Sequence, residues 1–115
     1  MSNEFDLTVI GSGPGGYVGA IRAAQLGLKV AVVERDPKGA GGTCLQRGCI
    51  PTKALLHTAD VYEDLRNGRE FGIVAENVGV DFTALMSRKS RIVTRLSKGI
   101  ESYLFKKNKI TFVKG

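Results

Sequence analysis

Cys44 and Cys49 are the only thiols in the chain, and they stand five residues apart. Four kinds of chemistry use such a pair. A structural staple belongs to oxidising compartments, whereas Met1–Asp6 is short and acidic and lacks the basic and apolar regions of a signal peptide. A closed zinc site wants four ligands, and only His57 could join the two sulfurs. An iron–sulfur cluster needs further cysteines that the sequence does not contain. Redox chemistry between the two sulfurs is the reading that remains, with two buried structural cysteines as its plain alternative.

The surrounding segment is Gly41-Gly42-Thr43-Cys44-Leu45-Gln46-Arg47-Gly48-Cys49-Ile50-Pro51-Thr52-Lys53. In one regular helix, residues five apart have Cα atoms about 8–9 Å apart. A disulfide wants roughly 4.4–6.8 Å. The pair therefore needs a bend, which Gly48 can supply. A helix beginning near Cys49, with Pro51 in its first turn, puts that sulfur at a helix N-terminus. The dipole there stabilises a thiolate, and Lys53 adds a cation one turn on. Cys44, placed in a loose segment, is suited to exchange with an outside substrate.

A second cluster lies upstream. Phe5–Ile10 reads as a buried strand, and Gly11-Ser12-Gly13-Pro14-Gly15-Gly16 follows it directly. In this setting Gly11 permits a tight turn, Gly13 lets the backbone approach a pyrophosphate, and Gly16 lets a helix pack on the strand. Free N–H groups and the helix dipole then favour phosphate. Glu34 ends the next strand, where a carboxylate can accept from a ribose diol and repel a 2′-phosphate. FAD or NAD(H) is expected at this turn rather than NADP(H). The alternative is a glycine-rich turn with no ligand.

These residues need elements to carry them. A helix is predicted over Tyr17–Leu26 and a strand over Lys29–Glu34, which makes a right-handed parallel crossover. Residues 35–48 read as a glycine-rich loop. The cysteine helix should run to Leu65 or Arg66 and break at Asn67-Gly68. Glu70–Val80 is ambiguous, a short extended excursion. Asp81 is a candidate N-cap for a long helix over 82–106, with Leu85, Ile92, Leu96, Ile100 and Tyr103 as its core face and Gly99 as a weak point. Ile110–Val113 closes the list as a third strand. The fold class is α/β, a Rossmann-type half-domain with a three-stranded parallel sheet and about three helices.

Composition limits the remaining classes. The chain has 115 residues, 43% of them hydrophobic, enough for one domain. No run reaches the about 18 apolar residues of a membrane span, so a cytoplasmic protein away from membranes is expected. The net charge of +6 is concentrated beyond Ala84, where Glu101 is the only acid. No aromatic interleaving accompanies these cations. They read as a solvated helix face, and no nucleic-acid partner is expected.

On GSGPGG at 11–16, Glu34, and GGTCLQRGCIPTKALLH at 41–57, the chain resembles the pyridine-nucleotide disulfide oxidoreductases. The tail Ile50–His57 is most similar to the dihydrolipoamide dehydrogenase branch. The resemblance implies that Gly11, Ser12, Gly13, Pro14, Gly15, Gly16, Glu34 and Arg35 bind FAD. Gly42, Thr43 and Lys53 would line its path toward the flavin ring. It makes Cys49 the sulfur beside the flavin and Cys44 the interchange sulfur. Electrons would pass from dihydrolipoamide through the disulfide and FAD to NAD. One departure stands out: the family commonly has Asn-Val where this chain has Gln46-Arg47. His57 reads as an ordinary helix residue, since the family's acid–base histidine comes from a distant segment.

Family members are several times longer. Residues 1–115 would be an incomplete N-terminal FAD-binding domain, with the NAD-binding and dimer-interface domains beyond it. The expected partners are the lipoamide-bearing acyltransferase of 2-oxoacid dehydrogenase complexes and a second subunit in a homodimer. The 115 residues alone should turn over little or no substrate. Two alternatives remain, a glutathione- or mercuric-reductase-like piece and a non-catalytic FAD-binding redox module.

Overall fold

A computed structural model describes residues 4–115, so the reading of Met1, Ser2 and Asn3 lies outside the described residues. Three strands form one parallel sheet in the order β1 (Leu7–Ile10), β2 (Val30–Glu34), β3 (Thr111–Lys114). Leu7 pairs with Val30 and Ile10 with Val33; Ala31 pairs with Thr111 and Glu34 with Lys114. β2 is the central strand, which explains its unbroken apolar run: Val30, Ala31 and Val32 are all buried. β1 pairs on one side only, and Ile10 at its end is exposed.

Helix α1 spans Pro14–Gln25, three residues earlier than the sequence suggested. Pro14 is the reason. At the first helical position its missing N–H is no loss and its φ is already helical, so the helix begins inside the glycine motif. Ala20 at its centre is fully buried, and Gly27, at φ +94°, turns the chain back toward β2.

The predicted loop over 35–48 is only partly a loop. Gly42–Arg47 forms a short helix, α2, which corrects the sequence reading. Its sequence, GTCLQR, carries no helical periodicity. It is held instead by Leu45 in the core and by Gln46 bonded to a distant helix. α3 (Cys49–Arg66) follows after Gly48 alone. A 3₁₀ turn (Gly68–Phe71) and an irregular stretch lead to α4 (Phe82–Gly99). Asp81 caps α4 as expected, its carboxylate accepting from Ala84 N at 2.9 Å.

α2 and α3 pack on α4 from opposite ends of it, Gln46 of α2 meeting Ser97 near the end of α4 and Ala54 of α3 meeting Arg88 in its first half. From Ile100 to Phe105 the helix widens into a π segment, directly after the Gly99 singled out as its weak point. Phe105 is buried, and its ring meets Phe112 of β3 at 5.4 Å between centroids. The core thus sits where α1, β2, α2 and the π segment converge. The basic residues beyond Ala84 lie outside it, nearly all exposed.

Of the five residues expected on the core face of α4, Ile100 is buried and Leu85 and Ile92 are half-buried. Leu96 and Tyr103 are exposed. Helical spacing put them on one face correctly, but nothing covers that end of it; they line the cleft described next.

Candidate functional site

The glycine turn is shaped chiefly by close backbone contacts. Gly11 has φ +93°, open to glycine without penalty. A Cβ at Gly16 would overlap the Gly11 carbonyl oxygen and touch Val9. Gly13 is the N-cap residue of α1. No side chain caps this helix and its first turn carries no acid, so its leading N–H groups face outward with the positive end of the dipole. That is a site for a phosphate oxygen. Pro14 and Gly15 are exposed beside it.

Glu34 lies across from the turn, 6% exposed. One carboxylate oxygen accepts from Ser12 N at 2.9 Å and Ser12 Oγ at 2.5 Å; the other accepts from Asp36 N at 2.8 Å. Burial pushes its pKa up, but the Ser12 hydroxyl and the backbone N–H groups of Asp36, Ser12 and Arg35 outweigh burial and hold it below the usual carboxylate value. A carboxylate offers about four lone-pair positions. Ser12 and Asp36 fill three of them and the Arg35 N–H lies close enough to contribute, so a ribose hydroxyl would share the carboxylate with these donors. Ser12 is itself fully buried. Its side chain faces Glu34 and Gly41, so what it offers a ligand is backbone. Arg35 is exposed just beyond the strand.

The two motifs touch. Gly41 N donates to Ser12 O at 3.0 Å and to Ser12 Oγ at 3.2 Å. A Cβ at Gly42 would come within 2.6 Å of Gly13 Cα. The dinucleotide turn and the helix bearing Cys44 are therefore packed backbone to backbone, with Gly42 half-buried at the contact and Thr43 exposed beside it.

Cys44 and Cys49 are joined as a disulfide with Cα atoms 4.7 Å apart. The bend sits at Gly48 as the spacing required. A side chain there would crowd Thr43 O at 3.0 Å and Cys44 Cα at 3.2 Å. Cys49 is the first residue of α3, which has no side-chain cap and no acid in its first turn. Its sulfur sits at the positive end of an 18-residue helix. Lys53 follows one turn on and is exposed, as is His57. Cys44 stands in α2 rather than in a loose segment, which corrects the reason first given for its exchange role. Cys44 borders a cleft of ≈ 550 Å³ that Cys49 does not line, shared with Tyr17, Ile50, Leu96, Tyr103 and Leu104. Among the described residues, Arg95 is the one charged group on its wall.

Sequence reasoning missed this cleft and the buried bonds of Gln46. The Gln46-Arg47 departure has a structural content: Arg47 pairs with Asp36, and the Gln46 amide donates to Ala40 O at 3.0 Å and to Ser97 Oγ at 3.1 Å.

A dinucleotide turn, an acid at the next strand end and a disulfide packed between them are the parts of a nucleotide-linked disulfide oxidoreductase. The family model for the pyridine nucleotide-disulphide oxidoreductases matches residues 5–115, and the chain belongs to that family. It is 51% identical over 116 residues to the mitochondrial dihydrolipoyl dehydrogenase of Pisum sativum, covering 99% of this chain and 23% of that one. It is 48% identical to the dihydrolipoyl dehydrogenase of Bacillus subtilis, covering 100% and 24%. The leghemoglobin reductase of Vigna unguiculata is also 51% identical. Among solved structures, the Escherichia coli flavoprotein disulfide reductase RclA superposes with a TM-score of 0.77 at 29% identity, covering 99% of this chain and 22% of that one. The chain thus spans about a quarter of the length of these relatives, and no helix among the described residues is long and apolar enough to cross a membrane.

Proposed function

We propose that this chain is the FAD-binding and dithiol-exchanging part of a dihydrolipoamide dehydrogenase, working with NAD supplied through another domain. The observation that carries the proposal is the backbone contact between the Gly11–Gly16 turn and the helix bearing Cys44, because it holds a nucleotide site and a redox disulfide in one rigid unit.

The residues present fit FAD. The uncapped start of α1 with Gly13, Pro14, Gly15 and Gly16 would take the pyrophosphate, and the Glu34 carboxylate the adenosine ribose. Ser12 acts through its backbone and through Glu34. Gly42, Thr43 and Lys53 would border the flavin, with Arg35 at the adenosine end. When bound, the flavin supplies a two-electron acceptor.

The chain's own chemistry is thiol–disulfide exchange. A dithiol in the cleft attacks Cys44 Sγ with one thiolate. The Cys44–Cys49 bond breaks, and Cys49 leaves as a thiolate stabilised by the α3 dipole. The second substrate thiol then displaces Cys44 from the mixed disulfide. The substrate leaves oxidised by two electrons and the protein holds two reduced sulfurs. A cleft with one cation on an otherwise mostly apolar wall suits a dithiol on a hydrocarbon arm better than glutathione, whose two carboxylates want more than one cation. The proposed setting is the cytoplasm, within a homodimer that meets the lipoyl-bearing acyltransferase of a 2-oxoacid dehydrogenase complex.

The test is a visible spectrum. The purified chain incubated with FAD should keep a flavin spectrum after desalting. On two-electron reduction it should gain long-wavelength absorbance from a thiolate beside the flavin, which Cys49→Ser abolishes. A folded chain that stays colourless would overturn the flavin assignment. Full lipoamide turnover by the 115 residues alone would overturn the view that a second domain is needed.

A further inference from the structure

One peptide unit outside the sulfurs and the glycine turn is held more completely than its position in a loop requires. Ala40 N donates to Glu101 Oε1 at 2.7 Å. Its carbonyl accepts from Ser97 Oγ at 2.6 Å and from Gln46 Nε2 at 3.0 Å. Gln46 Nε2 also reaches Ser97 Oγ at 3.1 Å. Gln46 and Ser97 are 8% and 4% exposed, so water does not substitute for these bonds. Gly39 must lack a side chain because a Cβ there would overlap Glu101 and approach Ser97 Oγ at 3.1 Å.

Gln46 lies two residues after Cys44 and three before Cys49. It is the only residue between the two sulfurs with a side-chain hydrogen bond to α4. Its partners are Ser97 on α4 and the carbonyls of Gly39 and Ala40 in the loop that leads into α2, and Glu101 of the π segment holds that loop from the other side through Ala40 N. Opening the disulfide frees the two sulfurs to part, and α2 is short enough to swing about Gly48. Bonds that fix α2 keep Cys44 near Cys49 and so raise the effective concentration of one thiol at the other.

We propose that Gln46, Ser97 and Glu101 are positioning residues for the redox pair: Gln46 and Ser97 clamp α2 to α4, and Glu101 holds the loop leading into α2, so that the reduced sulfurs stay within bonding reach and the disulfide re-forms readily. The proposal rests on the reading of Cys44 and Cys49 as a redox pair. It gives the Gln46 departure a purpose, since asparagine is one methylene shorter and leaves Ser97 beyond its amide.

The experiment equilibrates the purified chain with mixtures of reduced and oxidised dithiothreitol, alkylates free thiols and counts them by mass. Each equivalent converts one protein disulfide and one reduced dithiothreitol into two protein thiols and one cyclic disulfide. Gln46→Asn and Ser97→Ala should each shift the equilibrium toward the dithiol by about threefold to tenfold, the scale of one net buried hydrogen bond. That corresponds to roughly 15–30 mV. The double variant should shift the equilibrium by less than the sum of the two singles, because both remove the shared Gln46–Ser97 bond while each also loses its own bond to Ala40 O. Asp81→Ala, which loosens the far end of α4, should lower thermal stability and leave the equilibrium unchanged. Clamp variants within twofold of the parent, or a shift reproduced by Asp81→Ala, would overturn the clamp while the redox pair stands. A parent whose pair cannot be cycled at all would sink both.

Discussion

The loops at 11–16 and 39–42 are both glycine-rich and meet face to face, yet they are built on opposite plans. In the first, mostly backbone decides the shape: Gly16 against the Gly11 carbonyl, Pro14 starting the helix, Gly11 N donating to Val33 O and Gly41 N to Ser12 O. In the second, the shape comes from far away: Ser12 behind, Glu101 and Ser97 in front, Gln46 from the following helix. A loop held by its own backbone has one solution. A loop held by distant side chains can be adjusted one substitution at a time, and it is the one that leads into the cysteine helix.

The contrast can be broken most forcefully at Gly16. Gly16→Ala should cost at the upper end of about 1–3 kcal/mol, because the obstacle is a backbone carbonyl. No truncation of a neighbouring side chain should restore the melting temperature; rescue by Val9→Ala would show that side chains shape this turn after all.

Glu34→Gln comes next, at about 2 kcal/mol for a buried, charge-assisted set of bonds. The same carboxylate gives a pH signature. Its folded pKa lies below its ordinary value, so the stabilisation is fully present above the ordinary carboxylate pKa and is lost as pH falls through the depressed one. Acid melts of the parent should lose stability in that window, and those of Glu34→Gln should lose less. Parallel acid curves would remove Glu34 as the titrating group.

Gly39→Ala should cost about 1–2 kcal/mol for its left-handed backbone, plus the overlap with Glu101. Because that obstacle is a flexible side chain, Gly39→Ala placed in a Glu101→Ala background should cost less than it does alone. Additive effects in a double-mutant cycle would contradict the account of this loop. The smallest effect belongs to Asp81→Ala, about 1 kcal/mol for a lost N-cap, read as a few degrees in a thermal melt.

The same division explains what could be read in advance. The turn at 11–16, the Gly48 bend and the Asp81 cap were legible because each carries a signature within a few positions, and Glu34 because it ends the strand that follows the turn's helix. Helix α2 was not, since four glycines between 39 and 48 argue against a helix and its support comes from Ser97, some fifty residues later. Leu96 and Tyr103 were placed on the right face but assigned to the core, because periodicity tells which residues share a face and not whether anything lies over it. Gln46 was visible as a departure, while its partner could not be inferred from the segment between the cysteines.

The sheet itself carries a last consequence. β1 reads Leu-Thr-Val-Ile, is uncharged, and has its second row of peptide groups unpaired, whereas the opposite outer strand ends in Lys114. An uncharged open strand templates the addition of another. Protein concentration, more than heat, should therefore govern how this chain behaves in a tube, and a lysine in place of the exposed Ile10 should improve its colloidal behaviour without touching either sulfur.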